Sequence, residues 1–219
     1  MNPYILTGNI RRTLPEAKIV ETVLPLCPAL KLFLIRPDNV QRAFSGEEVA
    51  SIQANPPYWS LCWPSGHAMA HFISENKKMF EGKSVLDFGA GSGVVAIAVA
   101  MAGARRVTAC DVDQDALDAA RANAALNRVS LDTSESPQEI SRKIDLIVAS
   151  DILYDRENLP VLEYLLNLAP HIIVAESRVK SIDIPPYQKI ADMEAHIVPD
   201  LDAFDPYRHV KIYRAVGRP

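Results

Sequence analysis

Apolar positions along the chain change period several times, and each change marks an element. In the front, Ala29 to Ile35 is an apolar run bounded by Pro28 and Pro37, which suits a strand or one arm of a hairpin. Ser45 to Gln53 suits a short helix, and Asn55-Pro56-Pro57 an extended turn, because a residue before proline is pushed out of the helical region. From Gly66 onward Ala68, Met69, Phe72 and Ile73 recur at helix spacing, which predicts a helix ending near Asn76. The period then shortens. Ser84 to Phe88 reads as a buried strand, Gly93 to Ala102 as an apolar helix closed by Gly103, and Arg106 to Cys110 as a second strand. Asp113 can cap a helix running to about Asn127, with Leu117, Ala120 and Ala124 turned inward. Val129 to Asp132 is a weak third strand and Ile144 to Ser150 a strong fourth. A helix from Asn158 to Leu168 leads into a fifth strand, His171 to Ala175.

Strands alternating with helices imply βαβ units and a parallel sheet covered on both faces. The tail breaks that rhythm. Ala195 to Val198 and Val210 to Ala215 are apolar segments with no clear helix between them, which predicts an antiparallel pair at one edge. The fold class is therefore α/β, a sheet of about seven strands, mostly parallel with an antiparallel C-terminal edge. A proline-rich extension over residues 1–64 packs on a core formed by 65–219, the whole making one structural domain.

Composition narrows the picture by exclusion. In 219 residues, 48% are apolar and 23% charged, ordinary for a globular domain. A net charge of -4 gives no broad positive field for a phosphate backbone, so nucleic acid is not expected as a partner. The apolar run Val94 to Ala102 is far short of the roughly twenty residues that span a bilayer. Cys27, Cys62 and Cys110 form no pair at metal or redox spacing, and the first residues show no leader pattern, so a reducing cytoplasm is expected. The histidines show no metal-ligand spacing, and no metal site is expected.

The telling number is 9 glycines against 16 prolines, with Gly89, Gly91 and Gly93 inside one five-residue loop. That loop, Asp87-Phe88-Gly89-Ala90-Gly91-Ser92-Gly93, follows a strand and opens a helix, the context in which a glycine loop contacts a ligand. A dinucleotide fingerprint would need glycine at position 94, where Val94 stands, and the Asp87 carboxylate would repel a pyrophosphate and accept hydrogen bonds from an amino group. Asp111 ends the next strand, near the roughly 20-residue spacing at which an acid reaches ribose hydroxyls. The ligand suggested is a nucleoside with an amino-acid tail and no phosphate.

S-adenosyl-L-methionine fits that description, and the loop with Asp111 resembles the class I, seven-strand methyltransferases. The resemblance implies a Rossmann-like methyltransferase sheet, with Asp87, Gly89 and Gly91 toward the methionine part and Asp111 toward the ribose. Without a ligand, the same glycines would serve only the close packing of helix on strand. After the fourth strand, Ser150-Asp151-Ile152-Leu153-Tyr154 places a carboxylate and a phenol at the same sheet edge. Asp151 there could equally cap a turn, and Tyr154 belong to the core. Asp-x-x-Tyr at this position is similar to the motif of the lysine methyltransferases called methyltransferase family 16, which implies that Asp151 and Tyr154 act at the acceptor end.

Upstream, Trp59-Ser60-Leu61-Cys62-Trp63-Pro64-Ser65-Gly66 is similar to a Trp-Pro-x-Gly segment of that family, above all of the subgroup that modifies the β subunit of electron-transfer flavoprotein. Trp63 could present its ring to adenine or to a sulfonium, or simply belong to the core. The subgroup's Gly-Asp-Pro-Gly-Arg-like turn is replaced here by Ala175-Glu176-Ser177-Arg178, which leaves the substrate open. Asn55-Pro56-Pro57-Tyr58 spells an amino-methyltransferase signature but stands before the glycine loop instead of after the fourth strand, and reads as coincidence. The expected set is Asp151 and Tyr154 for catalysis, and Trp63, Asp87, Gly89, Gly91, Gly93, Asp111 and Ser150 for the cofactor. The resemblance implies N-methylation of a lysine on a protein substrate. A small-molecule amine or pyridine acceptor, or a silent cofactor-binding partner protein, are the alternatives.

Overall fold

The computed structural model describes residues 4–153, 158–201 and 207–218. Its front holds a helix α1 (Tyr4–Arg11), a hairpin of β1 (Ile19–Leu24) and β2 (Cys27–Ile35), and a helix α2 (Gly46–Ala54). The core then runs α3 (Pro64–Glu75), β3 (Ser84–Phe88), α4 (Val94–Met101), β4 (Arg106–Cys110), α5 (Gln114–Leu126), β5 (Asp132–Ser134), β6 (Leu146–Ser150), α6 (Leu159–Leu166), β7 (His171–Glu176), β8 (Gln188–Glu194) and β9 (His209–Val216). Seven strands form one sheet in the order β5-β4-β3-β6-β7-β9-β8, parallel except for β9, which runs antiparallel to both neighbours. The strands β3 and β6 are buried along their length because helices cover both faces. Because β3 lies between β4 and β6, the loops after β3, β4, β6 and β7 rise side by side at one edge.

Alternation fixes the hairpin. Leu30, Leu32 and Leu34 of β2 are buried while Lys31 is exposed, and Pro28 is tolerated because β2 has a strand partner on one side only. The other edge of β2 is met by two asparagines one turn apart, Asn123 in the last turn of α5 and Asn127 at its C-cap. Asn123 Oδ1 accepts the Phe33 N–H at 2.6 Å, and Asn127 Oδ1 accepts the Lys31 N–H at 3.0 Å. Asn123 is fully buried and its amide donates to the Ser92 carbonyl at 2.8 Å, so the front is hydrogen-bonded through α5 to the glycine loop. The helices α2 and α5 start where sequence chemistry places them. Ser45 and Glu48 form a capping box, and the Asp113 carboxylate accepts the Asp115 N–H at 2.8 Å.

Several elements differ from expectation. The helix α3 begins at Pro64, two residues before the expected Gly66, because proline suits the first position of a helix. The third sheet strand is Asp132–Ser134, not Val129 to Asp132, because the Val129 N–H closes the end of α5 on the Ala124 carbonyl at 3.0 Å. The outer strand paired with β9 is Gln188–Glu194, not Ala195 to Val198. Ala195 and Val198 are buried, but Val198 exchanges backbone bonds of 2.7 and 2.9 Å with Cys62, tying the tail to the segment before α3. The strand β8 lies at the open edge with no buried residue, so its apolar signal is weak.

Candidate functional site

The three loop glycines all have positive φ, but they do different things. A Cβ on Gly93 would stand 2.7 Å from the Ala120 Cα, so this glycine lets α4 start against α5 and is buried away from the cleft. Gly91 has open space where a Cβ would go, and its N–H donates to Asp111 Oδ2 at 2.9 Å. The other Asp111 oxygen accepts the Asp113 N–H at 3.0 Å, so one carboxylate binds the loop after β3 to the loop after β4. Gly89 and Ala90 both donate to the Cys110 carbonyl, at 2.9 and 3.1 Å.

Asp87 stands behind this loop instead of in the cleft wall. It is 1% exposed, with Oδ2 accepting the Ala96 N–H of α4 at 2.9 Å and Oδ1 without a partner. Burial pushes its carboxyl up to about 7, with the Asp111 charge adding to the shift and the Ala96 bond opposing it. An unpaired buried acceptor is costly unless a donor arrives, and an ammonium group would supply one.

The cleft in front of the loop has a volume of about 640 Å³, and Trp63, Gly66, Gly89, Gly91, Asp111, Ser150 and Asp151 line it. Gly66 brings α3 close, since a Cβ there would meet Val94 Cγ1 at 2.9 Å and Ser150 Oγ at 3.6 Å. Asp151 leaves β6 with φ +51°, a left-handed conformation that aspartate tolerates better than most residues. Its Oδ1 accepts the Ser65 and Ser177 hydroxyls, both at 2.6 Å, and the Ser177 N–H at 3.2 Å, while Oδ2 accepts the Ser65 N–H at 3.3 Å. Ser65 lies in the first turn of α3, where a carboxylate is favoured by unpaired N–H groups. Asp151 therefore does cap structure, as the plainer reading expects, and also stands in the cleft wall. Tyr154 lies outside the described residues.

Four residues that sequence reasoning passed over complete this end. Ser65 and Ser177 fix Asp151. Glu176 is 1% exposed, with Oε1 accepting the Leu153 N–H at 3.0 Å and Oε2 unpartnered. Burial first, and then the Asp151 charge, pushes its carboxyl up to about 8. Arg178 lines the cleft with its guanidinium 5.1 Å from the Trp63 ring centre and 4.5 Å from that of Tyr207. The cation over Trp63 in this structure is thus the chain's own. The indole N–H donates to the Tyr58 carbonyl at 3.0 Å, and Tyr58 meets the ring edge-on at 5.7 Å. The only hint of this cluster in the sequence was the departure at Ala175-Glu176-Ser177-Arg178. Among the described residues no group of metal-ligating side chains is gathered, and no helix is long and apolar enough to cross a membrane.

Known proteins resemble this chain at three levels. Residues 71–173 match the family model of ribosomal protein L11 methyltransferase (PrmA). The human electron transfer flavoprotein beta subunit lysine methyltransferase is 34% identical over 159 residues, covering 69% of this chain and 58% of its own length. The mouse protein of that name is 35% identical over 155 residues, covering 69% of this chain and 60% of its own. The chain thus spans less than two thirds of these relatives. Among solved structures, magnesium protoporphyrin IX methyltransferase from Synechocystis PCC 6803 with bound SAM superposes with a TM-score of 0.52 at 15% identity, over 81% of this chain and 86% of that one. The ribosomal protein L11 methylase of Lactobacillus delbrueckii subsp. bulgaricus does so with a TM-score of 0.50 at 23% identity, over 70% and 79%. These two structures share the fold described above.

Proposed function

We propose, from the premise that the chain carries a PrmA-like methyltransferase domain, that it is an S-adenosyl-L-methionine-dependent N-methyltransferase acting on lysine side chains of a protein, with a substrate like the electron transfer flavoprotein β subunit named for its relatives. The observation that carries this reading is one cleft of about 640 Å³ lined at one side by Gly89, Gly91 and Asp111 and at the other by Asp151. The cofactor end fits the group. Asp87 offers a buried acceptor without a partner, Gly91 leaves open backbone, and Asp111 faces the cleft with a carboxylate able to accept from ribose hydroxyls. Asp87 would act from behind the loop and Gly93 through packing. When bound, S-adenosylmethionine supplies a methyl group made electrophilic by its sulfonium.

The chain's own task is to place an amine and its charge. A lysine with its ordinary pKa near 10.4 is neutral about once in two thousand at pH 7, a cost of about 4 to 5 kcal/mol. Asp151 does not lower that cost, because a carboxylate favours the ammonium form. Held by Ser65 and Ser177, it instead offers a fixed negative charge that orients the amine and stabilises the positive charge arriving on nitrogen. The proton leaves to water beforehand, helped by desolvation beside Trp63.

The test is incubation with methyl-labelled S-adenosylmethionine and a cell lysate, followed by separation of protein from small molecules and acid hydrolysis. Label recovered as methyl-lysine from a protein band is the expected result. Label confined to small amines replaces the protein acceptor, and cofactor binding without any transfer replaces the enzyme reading with that of a silent partner.

A further inference from the structure

Arg178 is a cation held in place by aromatic rings. Among the described residues its guanidinium makes no ion pair or hydrogen bond, and its Nε is buried without a partner. The rings of Trp63 and Tyr207 hold it instead. Stacking on ring faces fixes the plane of a guanidinium and leaves its edge, where the N–H donors point, for a planar anion. The neighbouring Glu176 feels the Arg178 charge but forms no ion pair with it, and its Oε1 is turned to the Leu153 N–H.

Position in the sheet says what the anion belongs to. The functional loops follow β4, β3, β6 and β7 in spatial order, so Asp111, the glycine loop, Asp151 and Arg178 stand in that sequence along one edge. The proposed cofactor seat covers the first two. Arg178 lies beyond Asp151, on the acceptor side, and is the one cation among the described lining residues, where Asp111, Asp113, Glu135 and Asp151 are acidic. Ser177 couples the two charges, because its hydroxyl and N–H hold Asp151 while the next residue is Arg178.

We propose that Arg178 is an anion subsite of the acceptor end, gripping an Asp or Glu carboxylate that flanks the target lysine of the substrate. This rests on the lysine reading above. Asp151 then meets the amine and Arg178 the neighbouring carboxylate, so the enzyme selects a lysine next to an acid over one in a purely basic run.

The experiment uses peptides with blocked termini and a free lysine amine, carrying Asp, Glu, Asn or Gln at each position beside the lysine, with the full chain saturated with S-adenosylhomocysteine and binding read by calorimetry. The best acidic peptide should bind about tenfold more tightly than its amide counterpart, and Arg178→Ala should reduce that ratio to within about twofold. Arg178→Lys, which keeps the charge and an alkyl stem for the two rings, should fall between them and guards against a misfolded alanine variant. Equal binding of acid and amide peptides by the wild-type chain, or no binding of any acidic peptide, overturns the subsite. Methyl transfer to both peptides at equal rates would do so while leaving the lysine reading intact. A third arm compares S-adenosylmethionine with its decarboxylated analogue. If Arg178→Ala weakens only the former, the carboxylate belongs to the cofactor and the proposal fails.

Discussion

The two ends of the cleft restrain their carboxylates by different means. At the proposed cofactor end Asp111 is held by backbone N–H groups of Gly91 and Asp113, and Asp87 by that of Ala96. At the proposed acceptor end Asp151 is held chiefly by the hydroxyls of Ser65 and Ser177, which come from α3 and from the loop after β7. Backbone donors need no particular side chain to supply them, so the cofactor end keeps its shape as long as the chain there folds. The acceptor end keeps its shape only if three separate segments meet. A rigid seat and an assembled one should therefore respond differently to substitution.

The largest effect should come from Gly93→Ala. The added Cβ would lie 2.7 Å from the Ala120 Cα, and φ is +78°. Left-handed strain and overpacking together should cost about 3 kcal/mol, or about 6 to 12 °C in the midpoint of thermal unfolding. A shift under about 2 °C would mean that α5 yields and that the cofactor end is less rigid than the comparison holds.

Next come the buried carboxyls, one at each end. Asp87 is pushed up to about 7 and Glu176 to about 8, in both cases mainly by burial. Each binds its proton more tightly folded than unfolded, so stability is fullest below the ordinary carboxyl range and falls as pH rises toward these values. In urea titrations between pH 5 and 9, Asp87→Asn should flatten the fall that ends near pH 7, and Glu176→Gln the one that ends near pH 8. Each change should be on the order of 2 kcal/mol across the window. Cofactor affinity should rise through pH 7 in the wild type, as Asp87 behind the glycine loop gains a negative charge that attracts a cationic ligand, and lose that slope in Asp87→Asn. Equal pH curves for wild type and Glu176→Gln would show that the acceptor end is wetter than its burial implies.

The same contrast explains what the sequence revealed. The cofactor end is one continuous stretch from Asp87 to Asp113, and the alternation of apolar strand, glycines and strand-end acid is written along it in order. The parallel core was legible for the same reason, since β3, β4 and β6 are short apolar runs between turn signals. The acceptor end was legible only at Asp151. Ser65 and Ser177 are unremarkable alone, and they become ligands of one carboxylate only because α3 and β7 end beside β6. The misplaced edge strand has a related cause. Ala195 to Val198 is the more buried segment, but Val198 takes Cys62 as its partner, a choice made in three dimensions.

A substitution at the acceptor end comes third. Asp151→Asn should lower kcat by about tenfold or more while leaving cofactor affinity within about twofold, because the charge facing the amine is lost and the glycine loop is untouched. Calorimetry with S-adenosylmethionine beside steady-state methylation separates the two. Unchanged turnover removes Asp151 from the chemistry and leaves it as the cap of α3. A parallel loss of cofactor affinity would mean that the two ends are one unit.

The smallest effect, and the finest test of the comparison, is Ser177→Ala. Asp151 keeps both bonds from Ser65 and the Ser177 N–H, so the carboxylate stays near its place but loses one of two short hydroxyl bonds. About 1 kcal/mol of orientation is at stake, which corresponds to about a threefold to fivefold lower kcat. Thermal stability should move by no more than about 4 °C. Ser177→Thr retains the hydroxyl and should restore most of the rate, an outcome that a purely steric role for the side chain would not produce. If alanine and threonine lower kcat equally, Ser177 acts by its size, and the acceptor end is then held by Ser65 and the backbone alone, as the cofactor end is held by its own N–H groups.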